Sequence, residues 1–199
     1  LCPAWLVGKM LWSVFLMEVE MRVLLPLFTG FEEIEAVTVL DVLRRAGLDV
    51  VTAGLSPDPV VGAHGLPVHA GQSLDAVCDE VFDAIVLPGG GGTRRLAENH
   101  GLAALLRRHV AAGRWTAAIC AAPTVLAGLG LLEGRAATSW PGVHEAMVGT
   151  DYREDAVVID GPFVTSRGPG TAMAFALALV EHWCGGDKAE ELRRSMVVA

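Results

Sequence analysis

Four short apolar runs constrain the fold of this chain more than any other feature. They are residues 21–28 (MRVLLPLF), Asp49–Gly54 (DVVTAG), Ala84–Leu87 (AIVL) and Trp115–Ile119 (WTAAI). The first and third lack polar alternation, as expected of strands buried on both faces. Between the runs lie segments with helical spacing. Thr29 and Glu32 stand at capping-box distance, so a helix is predicted to start there and to end near Ala46, with Gly47 as its stop. A second helical pattern spans 102–112 and stops at Gly113, and Pro123 opens a third helix after Cys120. Residues 60–68 read as a short hairpin or edge element broken by Gly62, Gly65 and Pro67. Residues 157–159 and 163–166 read as a hairpin around Asp160-Gly161. Residues 170–183 form a helix apolar nearly all round and therefore buried, and a last short helix carries Arg193 and Arg194. Strands alternating with helices specify an α/β sandwich around a mainly parallel sheet.

In such sheets, sites gather at the carboxyl ends of the strands. Three segments fall there: the turn at 32–35, the glycines at 89–92, and Cys120. Helical geometry alone places Glu35. At roughly 100° per residue, Ala36, Val39, Val42, Leu43 and Ala46 share one arc, and Glu35 falls inside it. Burial there raises a carboxyl's pKa and favours the protonated form, which can donate a hydrogen bond. The plainer alternative is a first-turn carboxylate facing the helix dipole, a reading that suits Glu32 and Glu33. Ile34 and Val37 lie off that arc among polar neighbours, which points either to a partner surface or to scattered surface apolar residues.

Cys120 follows a buried strand and precedes the helix opened by Pro123, whose positive end favours a thiolate. A free thiol is only about 3% ionised at neutral pH, so such a site would matter. The alternative is a small buried hydrophobe, and that reading suits Cys78 and Cys184. The glycine run permits close backbone approach, as an oxyanion hole or as a plain loop. It is neither a nucleotide P-loop nor GxGxxG. His144 is the nearest histidine after Cys120 that could serve as a base. His64, His69, His100 and His182 show no metal-ligand spacing, so no metal is expected.

The formal charge of -8 argues against a nucleic-acid partner. The four cysteines (Cys2, Cys78, Cys120, Cys184) form no CxxC pair, which suggests a reducing, cytoplasmic setting. Residues 1–20 are apolar with Lys9 in the middle, and the uninterrupted stretch at 10–17 is too short to span a bilayer, so no membrane role is expected. They read as an upstream extension, or else as an apolar helix packed on the domain or a partner. The domain-like pattern occupies 21–199.

Four stretches taken together resemble the ThiJ/PfpI superfamily, and within it the parkinsonism-associated deglycase, or ThiJ/YajL-like, branch. They are GFEEIEAVTVLDVLRRAGLDVVTAG (30–54), DAIVLPGGGG (83–92), AAICAAPTVLA (117–127) and TSRGPGTAMAFALALVE (165–181). The resemblance implies a flavodoxin-like three-layer sandwich and a homodimer, here through the first helix with Ile34 and Val37. It implies Cys120 as nucleophile at a strained turn and Glu35 as the protonated partner of its sulfur. Gly89, Gly90 and the N–H of Ala121 would line an oxyanion site. Where some members carry a histidine after the next strand, this chain has Trp140, which would form an aromatic wall and leave His144 as the remaining base. Ala121 replaces the histidine that follows the cysteine in protease-like members, and no HxE pair appears, so peptidase and amidase readings are disfavoured. The implied activity is cofactor-free conversion of methylglyoxal, glyoxal or their early adducts. The alternative is a redox-sensing stress protein whose Cys120 is oxidised to sulfinate. A holdase role has no diagnostic feature.

Overall fold

A computed structural model describes residues 21–198. The reading of residues 1–20, Cys2 included, lies outside them. In chain order the elements are β1 (Arg22–Leu27), α1 (Glu33–Arg45), β2 (Asp49–Gly54), β3 (Val60–Val61), β4 (Pro67–Val68), β5 (Gln72–Ser73), α2 (Leu74–Val77), β6 (Ala84–Leu87), α3 (Arg94–Glu98), α4 (His100–Ala111), β7 (Trp115–Ile119), α5 (Pro123–Gly128), β8 (Ala136–Ala137), β9 (Asp151–Tyr152), β10 (Val157–Asp160), β11 (Phe163–Ser166), α6 (Ala172–Cys184) and α7 (Gly186–Ser195), with a 3-10 turn over Pro141–Ala146.

Seven strands form the central sheet in the order β10-β11-β7-β6-β1-β2-β5. All its pairings are parallel except β10 with β11. The expected mainly parallel α/β architecture is therefore what the chain adopts. From β1 the chain moves through α1 to β2, toward one edge. From β6 it moves through α4 to β7, toward the other. Right-handed crossovers then put α1 and α4 on opposite faces of the sheet. On the first face α1 packs on α6, and α6 on α7; on the other α3 touches both α4 and α5. The strand order reverses between β1 and β6, which opens a crevice at their carboxyl ends. There β1, β6 and β7 lie side by side and deliver the three predicted segments to one place.

The core follows the sequence pattern closely. Every residue of β6 is buried, and β1 is buried from Val23 onward. In α1 the buried positions are Glu35, Ala36, Val39, Val42 and Leu43, the predicted arc without Ala46. The end of α1 is as expected. Gly47 takes a positive φ of 92°, its N–H donates to the Arg44 carbonyl, and the Leu48 N–H donates to Leu43.

The start of α1 differs. It begins at Glu33, and no side chain caps it. The Thr29–Glu32 capping box does not form, because tertiary contacts claim that turn. The Glu32 N–H donates to the Gly89 carbonyl (2.9 Å), and the Thr29 N–H donates to Ser56 Oγ (3.2 Å). Both hairpins form as read, β3 with β4 and β10 with β11. The short elements β5, α2, α3, β8 and β9 carry no periodicity long enough to be predicted from sequence.

Candidate active site

Cys120 sits at the carboxyl end of β7 with a φ of 65°, in the left-handed region. A side chain there costs roughly 1–2 kcal/mol, so the surroundings must hold it. They do so through the backbone on both sides. The Cys120 N–H donates to the Ser166 carbonyl at the end of β11 (2.9 Å), and the Trp140 N–H donates to the Cys120 carbonyl (2.7 Å). Thr124 Oγ1 donates to the Ala121 carbonyl (2.7 Å), which steadies the next peptide.

The glycine run is differentiated position by position. A Cβ on Gly89 would stand 2.6 Å from Cys120 Cβ and 2.9 Å from Glu35 Oε2. Gly90 has a φ of 113°, and a Cβ there would strike the Glu32 nitrogen and the Gly30 carbonyl. One on Gly92 would strike the Thr29 carbonyl, whereas one on Gly91 would meet nothing within 4 Å. Glycine is thus required at 89, 90 and 92 and merely present at 91.

Glu35 joins the two turns. It is wholly buried, and its Oε2 accepts the Gly89 N–H at 2.8 Å. Its Oε1 is buried without a hydrogen-bond partner among the described residues. Burial, opposed by the Gly89 N–H and the Cys120 contact, pushes the carboxyl up to about 7. A buried oxygen with no donor to accept from is where a retained proton is best placed.

The expectation of a depressed Cys120 pKa needs correction. Burial, with the neighbouring Glu35 charge second, pushes the thiol up to about 12, and only the N–H groups of Ala121 and Gly90 pull it down. The helix that follows has only six residues, too short for a strong dipole. The two groups act as a pair that loses one proton near 7 and the next near 12. The value near 12 describes removing the second proton from an already anionic pair. Between the two steps the negative charge lies on the Glu35 carboxylate, and the sulfur keeps its proton.

Gly90 and Ala121 direct N–H groups at the sulfur. Gly89 does not, because its N–H is committed to Glu35. It positions the acid and is no oxyanion donor. Cys120 opens on a cavity of about 610 Å³, with Trp140 (48% exposed) as a wall. His144 does not line it. Its Nδ1 lies 3.1 Å from the Pro141 carbonyl and its ring packs by Tyr152, so no base comes from His144. Sequence reasoning missed Glu32 and Arg94 as cavity residues, since neither lies on a periodic buried face. Cys78 and Cys184 are half-buried and lie off the cavity.

These features match a known family. The model of the DJ-1/PfpI family covers residues 21–182. The chain belongs to this family. It is 41% identical over 180 residues to Protein dj-1beta of Drosophila melanogaster, spanning 88% of this chain and 96% of that one. The crystal structure of that fly protein superposes with a TM-score of 0.87, covering 90% of this chain and 99% of that one. Identity is 40% over 170 residues to Glutathione-independent glyoxalase DJR-1.2 of Caenorhabditis elegans, 84% and 91% of the respective chains. It is 33% over 163 residues to Deglycase PYRAB04690 of Pyrococcus abyssi, 81% and 98%. The family match covers all four sequence stretches that suggested it.

Among the described residues, one group could offer three ligand atoms to a metal: Glu32, Glu33 and His64. His64 had no ligand spacing in sequence; the fold brings it to α1. Its carboxylate neighbour is already occupied. Glu33 Oε1 accepts the N–H of His64 (2.6 Å) and of Leu66 (3.4 Å), while Oε2 lies 2.9 Å from His64 Nδ1. The group is explained as a clamp between α1 and the β3–β4 loop. No helix among the described residues is long and apolar enough to cross a membrane.

Proposed function

We propose that this protein is a cofactor-independent glyoxalase or deglycase acting on methylglyoxal, glyoxal or their early adducts. The observation that carries the reading is the pairing of Cys120 with a buried carboxyl that retains its proton to about pH 7, beneath the N–H groups of Gly90 and Ala121. The printed names of the nematode and archaeal relatives support the same chemistry.

The groups present account for each step. The Glu35 carboxylate takes the Cys120 proton as the sulfur adds to the aldehyde carbon. The Gly90 and Ala121 N–H groups stabilise the oxygen as it gains charge, and Glu35 protonates it to the hemithioacetal. The Glu35 carboxylate then takes the proton from the former aldehyde carbon and returns it to the neighbouring carbon. The hemithioacetal hydroxyl proton passes to the neighbouring oxygen, so that carbon becomes a carbinol and the first becomes a thioester. Water cleaves the thioester, releasing the hydroxy acid and restoring the thiol. The oxidation of one carbon and the reduction of the next are internal, so no external electron carrier takes part. An assay of methylglyoxal with chelator-treated, cofactor-free protein tests this. Turnover by the wild type and none by Cys120→Ser is expected; equal rates for the two would refute the assignment.

One feature favours redox sensing as a second reading. The Cys120 sulfur faces an open cavity beside N–H donors and a protonated carboxyl, a set that would also hold sulfinate oxygens.

Ile34 and Val37 are 55% and 43% exposed on the outer face of α1, and a second copy of this chain is the proposed occupant of that face. Light scattering should show a dimer at micromolar concentration. Ile34→Asp should weaken it more than Arg193→Glu, and a monomeric wild type would contradict the proposal.

A further inference from the structure

We propose that Arg94 fits the Cys120 cavity for carbonyl compounds whose far end carries a carboxylate, in particular a straight-chain α-oxoaldehyde ending in a carboxylate group. The substrate class rests on the glyoxalase reading above; the preference for an anion does not.

The cavity is the first reason. About 610 Å³ is the scale of a drug-sized ligand, and methylglyoxal fills a small part of it. The walls between Cys120 and the mouth are mostly apolar, with Val125, Trp140, Val143 and Pro169 along them. They suit a short methylene chain beyond the reacting carbons.

The second reason is how Arg94 is held. It is the first residue of α3 and lines the same cavity as Cys120. Its Nε donates to Glu98 Oε1 at 2.6 Å, one helical turn on. Neither Nη group has a hydrogen-bond partner among the described residues. Glu98 therefore orients the guanidinium by its inner nitrogen and leaves the terminal fork free. That fork matches a carboxylate with two parallel N–H donors. The side chain is 87% exposed, so it can meet a ligand at the mouth without breaking the Glu98 pair. Arg94 also borders the adjoining cleft, where Arg95 is a second cation and Glu98 the one carboxylate among the lining residues. The cavity's carboxylate, Glu32, has Oε2 3.7 Å from His64 Nδ1, which offsets its charge when that imidazole is protonated. In a chain of formal charge -8, Arg94 is the only cationic side chain among the residues that line this cavity.

The reaction balances as for methylglyoxal. Water is consumed, the aldehyde carbon becomes a carboxylate, the adjacent ketone becomes an alcohol, and the distal carboxylate is unchanged. The product is a 2-hydroxy dicarboxylate.

Two measurements test the preference. In the first, kcat/KM for 4,5-dioxopentanoate is divided by that for 2-oxopentanal, a neutral homologue of the same chain length. This ratio should fall at least fivefold in Arg94→Gln, through KM, and should not move in Arg45→Gln, which removes an α1 cation that does not line the cavity. In the second, Cys120 is alkylated with iodoacetate and with iodoacetamide, which differ in charge and little in size, and the modified peptide is quantified by mass spectrometry. The iodoacetate-to-iodoacetamide rate ratio should also fall at least fivefold in Arg94→Gln and should decline as salt is added. If neither oxoaldehyde is turned over, the glyoxalase reading fails and the alkylation ratio alone decides the anion preference. A ratio that is the same in wild type and Arg94→Gln, in either measurement that can be made, overturns the inference.

Discussion

The turns that follow β6 and β7 leave neighbouring strands at the same end of the sheet, and both need a residue in the left-handed region. After β6 that residue is Gly90, with a φ of 113° and no room for a side chain. After β7 it is Cys120, with a φ of 65° and a cavity in front of its side chain. The first turn uses glycine because the backbone of the α1 loop occupies the space a Cβ would need. The second keeps a side chain despite the conformational cost, which makes sense only if the sulfur is used. Glu35 is where the two turns meet, accepting an N–H from the first and touching the sulfur of the second.

The largest expected effect tests the second turn. Cys120→Ala should lower dicarbonyl turnover about a thousandfold or more, while Cys78→Ala and Cys184→Ala retain most of it. A similar loss in all three would dissolve the contrast between a working turn and a merely structural one.

The first turn is tested by stability. Gly90→Ala combines a forbidden φ with a backbone clash and should cost about 3 kcal/mol or more in urea unfolding. Gly91→Ala, with open space around it, should stay within about 0.5 kcal/mol. Equal costs at the two positions would mean that the glycines act through chain flexibility and not through close approach.

Glu35 is tested by pH. Its carboxyl titrates near 4.5 in an unfolded chain and near 7 when buried. The neutral form is therefore accommodated fully below about 4.5, and stability is lost as pH rises through 7, when the folded state must hold a buried charge. The difference corresponds to roughly 3 kcal/mol. Stability of the wild type relative to Glu35→Gln should fall by about that amount between these limits. Alkylation of Cys120 should rise through pH about 7 in the wild type. In Glu35→Leu no carboxylate remains to take the thiol proton, so the rise should follow ionisation of the thiol itself, which burial holds above its ordinary value of 9.0 against the Gly90 and Ala121 N–H groups; Glu35→Gln, whose amide can donate to the thiolate, should shift it less. An unmoved profile in Glu35→Leu would remove Glu35 from the pair.

The smallest effect isolates the conformational cost. Cys120→Gly should be as stable as Cys120→Ala or up to about 1 kcal/mol more so, since relief of the left-handed strain outweighs or cancels the entropy of a glycine. A clearly less stable glycine variant would show that the β7 turn is not strained.

The sequence by itself determined the elements with strong periodicity and the residues whose position depends on one element. Apolar runs without alternation specified the parallel strands. The helical arc that buries Val39, Val42 and Leu43 also buried Glu35. Four ordered stretches pointed to the family. Tertiary structure decided everything that depends on two elements meeting. It gave the Gly89 N–H to Glu35 instead of to an oxyanion, and sent His144 to Pro141 and Tyr152 instead of to the cavity. It also undid the capping box by offering Glu32 a better acceptor at Gly89, brought His64 to Glu33, and placed Arg94 on the cavity that Cys120 opens on. Local periodicity reports which face of a segment avoids water, and a single helix or strand settles that. Hydrogen-bond partners and pKa values depend on which groups other segments bring within a few ångströms, and no spacing along the chain encodes that distance.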